Sequence, residues 1–171
     1  MPLRHALRNL SLALILLLCA VSTALRAATP LPPALMLARD LGTTPIDVPA
    51  YFVSEKLDGV RARWDGRALW TRGGHRIATP PGFTRDWPDT PMDGELWIAR
   101  NRFDVVSGIA RSTRADPAAW EAVRFMVFDL PAHPGPFAER VAAMRTLIAR
   151  TAHPQLRMVE QDRVASRAAL D

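Results

Sequence analysis

The pair Asp65-Gly66 and the two runs that flank it constrain the fold of this chain more than any other stretch. GVRARW, residues 59–64, precedes the pair, and RALWT, residues 67–71, follows it. An Asp-Gly pair between two short runs of mixed apolar and polar residues is a strong signal for a β-hairpin, because the glycine accepts the positive φ of a tight turn. The chain is therefore expected to contain antiparallel strands.

The rest of the chain alternates between strand patterns and helix patterns. Further strands are predicted at 51–53, 91–99, 123–130 and 156–161, and helices at 102–112, 116–122, 135–151 and from 163 onward. The strand at 123–130 is nearly all apolar, which indicates an interior position in the sheet. In the longest helix, four apolar residues recur at helical spacing on one face: Phe137, Val141, Met144 and Ile148. The predicted class is α+β with a mostly antiparallel sheet.

The N-terminal residues carry the pattern of a secretory signal peptide. A basic segment, MPLRHALRN, precedes an uncharged run at 10–21, and the small residues Ser22 and Ala24 follow. This run is short for a membrane span, which needs about 20 apolar residues. Residues 1–24 are therefore predicted to be cleaved on export to a periplasm, with an uncleaved inner-membrane anchor as the alternative. Cleavage would remove Cys19, the single cysteine, and a chain without thiols suits an oxidising compartment.

Composition gives a broader indication. Residues 25–49 are rich in proline and threonine and are predicted to form an extended lead-in to one folded domain at 50–171. The net charge of +5 and the pI of about 10.8 suggest a polyanionic partner such as nucleic acid, although an arginine-rich solvated surface gives the same composition. The four histidines are scattered and have no metal-ligand spacing, so no metal site is predicted.

Lys56 is the only lysine among 22 lysine and arginine residues. A guanidinium stays protonated at ordinary pH and is a poor nucleophile, whereas a lysine amine can attack an electrophile once it is deprotonated. A site that needs an attacking nitrogen therefore cannot use arginine. The alternative is a surface lysine that survived in an arginine-rich chain, and the neighbouring residues decide between the two interpretations.

Lys56 begins the pattern K-x-D-G-x-R, which ends at Arg61. The pattern suits nucleotide chemistry, because Gly59 would let the backbone come close to a nucleotide and Arg61 would pair with ribose or phosphate. Three more segments follow in order: TRGG at 71–74, DGELW at 93–97 and FMVFDLP at 125–131. Together they resemble the covalent nucleotidyltransferases, and within them the ATP-dependent DNA ligases of the small bacterial periplasmic type. The resemblance implies an adenylation-domain core, related to the ATP-grasp fold.

The resemblance also implies roles for single residues. Lys56 would be the catalytic nucleophile and Asp58 would orient its amine or the waters around a metal ion. Glu95 would bind the ribose of the nucleotide and Phe128 would stack on its adenine. Three further residues are expected to contact the nucleotide: Glu55, Arg61 and Arg72. The residues placed at DNA are Arg72 for the 5′-phosphate of the nick, with Arg100, Arg102 and Arg111 along a groove. Each has a structural alternative: Glu95 as a solvent-facing carboxylate, Phe128 as core, and the arginines as ordinary surface charges.

The mechanism implied by the resemblance uses ATP and Mg²⁺. The Lys56 amine would attack the α-phosphorus of ATP, and AMP would pass from the lysine to the 5′-phosphate of nicked double-stranded DNA, where the 3′-hydroxyl displaces it. No stable protein partner is implied, and a monomer is expected.

The sequence departs from the family after Leu130, because neither a Glu-Gly segment nor a Lys-x-Lys strand follows. We therefore expect residues 50–171 to be a partial adenylation domain without an OB-fold domain, weak or inactive in sealing. The alternatives are a non-catalytic remnant that binds nucleotide or DNA weakly, and another covalent nucleotidyltransferase of the RNA ligase type, against which the secretory leader argues.

Overall fold

A five-stranded sheet forms the centre of residues 35–169, the part of the chain that the computed structural model describes. Its strands are β1 (Val60–Trp64), β2 (Leu69–Thr71), β3 (Met92–Trp97), β4 (Arg124–Asp129) and β5 (Leu156–Met158), in the order β2-β1-β3-β4-β5. Only β4 and β5 run parallel, so the prediction of a mostly antiparallel sheet is confirmed. The predicted signal peptide at 1–24 and the first part of the lead-in lie outside the described residues.

The predicted hairpin joins β1 to β2, with Trp64 opposite Leu69. Its connection covers residues 65–68 and is longer than a two-residue Asp-Gly turn. The reason lies in the Asp65 carboxylate, whose Oδ1 accepts hydrogen bonds from the backbone N–H groups of Arg67 and Ala68, both at 2.8 Å. These bonds hold Arg67 and Ala68 in the turn, which is also closed by the Asp65 N–H donating to the Ala68 carbonyl at 3.2 Å.

Three helices cover one face of the sheet or its edge: α1 (Phe103–Arg111), α2 (Pro117–Trp120) and α3 (Phe137–Thr151). α1 contacts β1 and β3, and α3 contacts β4 and β5. Val106 of α1 and Val141 of α3 share one buried cluster with Ala62, Leu96 and Val127 of the sheet. The helical face predicted for 135–151 is confirmed, because Val141 and Met144 are fully buried and the two flanking apolar residues pack against the same cluster.

The opposite face of the sheet is termed the open face. Arg61, Glu95 and Met126 lie side by side on it, because they are cross-strand partners in the ladders of β1, β3 and β4. Successive side chains of a strand alternate between the two faces, so these residues point away from Ala62 and Leu96. The segment around Met36 crosses this face, since the Met36 carbonyl accepts a hydrogen bond from Arg61 at 2.6 Å.

Three of the predicted elements are shorter than expected. At 51–53 only Val53 pairs, in an isolated bridge with Asp162 whose two hydrogen bonds measure 2.7 and 2.9 Å. β5 stops at Met158 and does not reach 161. From 163 onward the described residues contain a single 3₁₀ turn, Arg167–Ala169, and no α-helix.

The physical reason is visible at Arg163, whose Nη1 donates to the Pro49 carbonyl at 2.9 Å and whose guanidinium lies 4.5 Å from the centre of the Phe52 ring. This arginine ties the two segments together through side-chain contacts and not through a ladder. No helix between residues 35 and 169 has the length and hydrophobicity needed to cross a membrane.

Candidate active site

The loop that carries Lys56 runs directly into β1 and is pressed against β3 at Gly59. A Cβ on Gly59 would overlap the Leu96 carbonyl oxygen and stand 2.8 Å from the Glu95 Cγ. The glycine predicted to admit a nucleotide is therefore needed first for the approach of the loop to β3. Lys56 itself is exposed at the open-face side of this contact, near enough to Glu95 for its positive charge to act on that carboxylate.

Glu95 is a half-buried carboxylate with an unusual titration. Burial raises its pKa to about 7, against the opposing effects of a hydrogen bond from the Gly59 backbone N–H and of the positive charges of Arg61 and Lys56. A carboxylate in such a place accepts hydrogen bonds when ionised and donates one when protonated. Because Glu95 interacts with both Lys56 and Arg61, the structure brings three of the residues predicted for the site together on one face.

Arg61 joins this group to the fourth residue, Phe128. Its guanidinium forms a two-point ion pair with Asp93, with Nη2 to Oδ2 at 2.6 Å and Nε to Oδ1 at 3.2 Å. The same group lies 5.4 Å from the centre of the Phe128 ring, at a distance suited to a cation–π contact. Arg61 was predicted to contact the nucleotide, and in this structure its main partners are a carboxylate and the Met36 carbonyl.

No role was predicted from the sequence for Asp93, Asp129, Arg140 or Met36. Asp129, almost fully buried, accepts a hydrogen bond from Nε of Arg140 at 2.8 Å. Asp93 and Asp129 are cross-strand partners at a bulge between β3 and β4. One signal could have found Asp93: in the strand segment DGELW it lies two residues before Glu95, and therefore on the same face of the sheet.

Glu55 and Arg100, predicted to contact nucleotide and DNA respectively, contact each other. Both Nε and Nη2 of Arg100 donate to Oε1 of Glu55, at 2.9 and 2.8 Å, and both side chains are well exposed. The pair connects the loop before Lys56 to the turn after β3. An exposed pair of this kind contributes little stability, about 0–1 kcal/mol, so its main effect is on the position of the loop.

The remaining predicted residues lie at the surface. Asp58 is exposed in the Lys56 loop, and Arg72 is exposed in a tight turn that closes with the Gly74 N–H donating to the Thr71 carbonyl at 3.0 Å. Arg102 directly precedes α1, and Arg111 is its last residue. All four are accessible to a ligand, and their roles stay predictions.

An open groove of about 920 Å³ lies beside the Arg72 turn, between the edge strand β2 and the end of α1. Its lining includes Arg67, His75, Arg111 and the hydroxyl residues Thr71 and Ser112, and contains no aspartate or glutamate. The groove is on the side of the sheet away from Glu95, so the groove and the Lys56–Glu95 group are different places. Its chemistry suits phosphate groups more than an adenine ring.

Residues 35–169 do not contain a cluster of side chains typical of a metal site. No group of three histidine, cysteine, aspartate or glutamate side chains there is close enough to hold an ion. Because Mg²⁺ commonly keeps several waters and binds one or two carboxylates together with substrate phosphates, the use of Mg²⁺ with ATP stays a prediction.

The sheet with its Lys56 loop and open face defines the adenylation-domain fold of ligases. Among solved structures, the chain resembles Chlorella virus DNA ligase-adenylate with a TM-score of 0.58 and 17% identity, over 73% of this chain and 48% of that one. That likeness concerns the fold alone. It confirms the predicted fold class.

The sequence comparison goes further: the chain is homologous to DNA ligases. It is 37% identical to a DNA ligase of Haemophilus influenzae over 127 residues, which cover 74% of this chain and 46% of the relative. It also resembles a solved Lig E DNA ligase whose structure is described under DNA binding with a minimal scaffold. The TM-score is 0.76 and the identity is 41%, over 82% of this chain and 55% of that one. No protein-family model matches the chain. The chain thus spans about half the length of the relatives it matches.

Proposed function

We propose that this chain carries the nucleotide-binding and nucleophile-bearing part of an ATP-dependent DNA ligase. One observation supports this most strongly: Lys56, Arg61, Glu95 and Phe128 lie together on a sheet face that no helix of the described residues covers. The homology to DNA ligases supports the same conclusion independently. The four residues come from three strands and one loop, so their convergence is a property of the fold.

In the proposed first step, the Nζ of deprotonated Lys56 attacks the α-phosphorus of ATP. A P–N bond forms, the bond from the α-phosphorus to the bridging oxygen breaks, and pyrophosphate leaves. Glu95 would hold the ribose hydroxyls, because its carboxyl can accept or donate a hydrogen bond near neutral pH. Phe128 would stack on the adenine, and Arg61 would contribute positive charge beside the phosphates.

We further propose that DNA lies against the basic groove and the Arg72 turn. Arg67 and Arg111 line the groove, and neither forms an ion pair within residues 35–169. Their charge is therefore not neutralised by carboxylates of this part of the chain. Phosphate contacts by arginine and hydroxyl side chains position a duplex without reading its sequence. For nick sealing, the same duplex would also have to pass round the β2 edge of the sheet, because Lys56 lies at the open face.

Export is the third part of the proposal. The sequence pattern of residues 1–24 supports a secretory signal peptide. N-terminal sequencing of protein from the periplasmic fraction tests it, and a chain that starts at Met1 in the membrane fraction would favour the anchor.

The adenylation proposal is tested by incubating the purified chain with α-labelled ATP and magnesium. We expect label that is lost in Lys56→Ala and strongly reduced in Glu95→Ala, with Arg150→Ala, at an exposed charged residue away from the site, as the control. Labelling by these 171 residues alone is expected to be slow, because they contain neither the Glu-Gly nor the Lys-x-Lys segment of the family. Joining of a nicked duplex is expected to be barely detectable.

The alternatives give different results. Equal label in Lys56→Ala would refute the assignment of the nucleophile. ATP and DNA binding without any label, even after long incubation, would favour the non-catalytic binder. Joining of nicked RNA in preference to nicked DNA would favour the RNA ligase type.

A further inference from the structure

Two ion pairs meet beneath the open face and form one buried cluster of four charges. Arg61 pairs with Asp93, and Arg140 of α3 pairs with Asp129. The two carboxylates are cross-strand partners, and both are almost completely excluded from solvent. Met36 contacts both arginines: its carbonyl accepts from Nη2 of Arg61 at 2.6 Å and its Sδ from Nη2 of Arg140 at 3.3 Å.

The charges in this cluster depend on one another. The negative charge of Asp129 contributes to the raised pKa of Arg61, after the larger effect of the Asp93 hydrogen bond. Asp129 also acts on Asp93, whose pKa is raised mainly by burial. Asp129 therefore attracts Arg61 and repels the carboxylate that holds Arg61 in place. With Arg140 present, the charge of Asp129 is largely balanced.

We propose that Arg140 is a positioning residue for Arg61. By pairing with Asp129, Arg140 leaves Asp93 as the carboxylate that holds Arg61, together with the Met36 carbonyl, and this keeps the Arg61 guanidinium over Phe128 and beside Glu95. Arg140 lies on α3 and touches neither Glu95 nor Lys56 in the described contacts, so it acts on the site only through this cluster. The effect on nucleotide binding rests on the proposed function, whereas the effect on the position of Arg61 does not.

The proposal predicts how each substitution changes the cluster. In Arg140→Gln, two buried carboxylates share one guanidinium, so Arg61 is drawn toward Asp129 and away from Glu95. In Asp129→Asn, Arg140 loses its counterion and competes with Arg61 for Asp93. In the double variant Asp129→Asn/Arg140→Gln, the Arg61–Asp93 pair is again alone and balanced. Each single substitution should therefore disturb the site, and the two together should restore it.

Two measurements on the full chain test these expectations. The first is the titration of the Glu95 carboxyl by ¹³C NMR, with Arg61→Gln as the reference for complete loss of the Arg61 charge. The second is the Kd of an ATP analogue with a methylene bridge between the α- and β-phosphates, which cannot transfer AMP. Arg150→Gln, which removes an exposed charge from the same helix, is the matched control.

We expect the Glu95 pKa of Arg140→Gln to move upward toward that of Arg61→Gln, and the Kd to rise by about ten-fold. The double variant should return both quantities to within about two-fold or 0.2 pH units of wild type. Arg150→Gln should leave both unchanged. If Arg140→Gln does not fold, the comparison of Asp129→Asn with the double variant carries the same test.

A Glu95 titration unchanged in both single variants would overturn the proposal, since the position of Arg61 would then not depend on the pairing of Arg140 with Asp129. Equal defects in the single and double variants would also overturn it, because they would show that Arg140 acts through packing alone. If no variant, including wild type, binds the analogue, the proposed nucleotide site fails while the titration still decides the role of Arg140.

Discussion

The substitution Gly59→Ala probes the contact that places Lys56. Gly59 lies three residues after Lys56 and directly before β1, with its α-carbon against the backbone of β3. An added Cβ would stand 2.8 Å from the Glu95 Cγ and closer still to the Leu96 carbonyl oxygen. The Glu95 side chain has some freedom to move away, but the Leu96 carbonyl belongs to the central strand of the sheet.

The magnitude follows from these distances. Two carbon atoms are comfortable at about 3.5–4.0 Å, so the Gly59 loop has to move away from β3 by about 1 Å. Overpacking of this kind costs about 1–3 kcal/mol. A displacement of about 1 Å at a reacting group lowers the rate by on the order of 10²-fold. Gly59→Ala is therefore expected to lower both the stability and the Lys56-dependent labelling, and labelling by far the more.

Urea denaturation and labelling with α-labelled ATP measure the two effects. Gly108→Ala is the matched control, because Gly108 lies in α1 and an added Cβ would meet nothing within 4 Å. That control should gain about 0.5–1 kcal/mol, as alanine does over glycine in a helix, and keep its labelling rate. Wild-type stability and labelling in Gly59→Ala would refute the reasoning, since the loop would then not depend on close contact with β3.

Three further outcomes are expected. Glu95 binds a proton more tightly in the folded state, with a pKa of about 7 against 4.5 for the ordinary group. Wild type should therefore lose stability relative to Glu95→Gln as the pH rises from about 4.5 to 7. Urea midpoints across that range measure this loss, and a difference in midpoint between the two proteins that stays constant with pH would contradict the prediction. Asp93→Asn leaves the Arg61 charge without its buried partner and should lower the free energy of unfolding by about 3 kcal/mol. Thermal or urea unfolding measures this change, and an unchanged midpoint would show that the ion pair contributes nothing to stability. Arg111→Gln should weaken binding to any duplex and reduce the slope of log K against log[salt] by about 1; a slope equal to that of wild type would remove Arg111 from the DNA groove.

Local patterns predicted the parts of the fold whose contacts are close in sequence. The Asp65-Gly66 hairpin and the helix Phe137–Thr151 formed as expected, because turn chemistry and helical periodicity act over a few residues. The same reasoning overestimated the strand at 51–53 and the helix after 163. Those two segments contact each other through the bridge between Val53 and Asp162 and through the side chain of Arg163. No local sequence pattern indicates contacts between residues so far apart in the chain.

The sequence selected residues that lie together in the structure, but it did not predict how they pair. Motif resemblance selected Lys56, Arg61, Glu95 and Phe128, and the structure brings them together. It gave no account of the bond between Arg61 and Asp93, which are 32 residues apart and meet only through the register of β1 against β3. The pairing of Asp93 with Asp129 needs, in addition, a bulge between β3 and β4. Register and bulges depend on the whole sheet, so a sequence pattern does not predict them.

The ion pairs show one way in which arginines of this chain differ from its single lysine. Within residues 35–169, every ion pair uses an arginine: Arg61 with Asp93, Arg100 with Glu55 and Arg140 with Asp129. The planar guanidinium suits fixed contacts such as the two-point pair of Arg61 with Asp93, whereas an ammonium group is a point charge on a flexible stem. Lys56 is in none of these pairs, although Glu95 is near. In the described residues, three arginines are held by carboxylates, whereas the amine of Lys56 forms no ion pair, as the proposed attack on phosphorus would require.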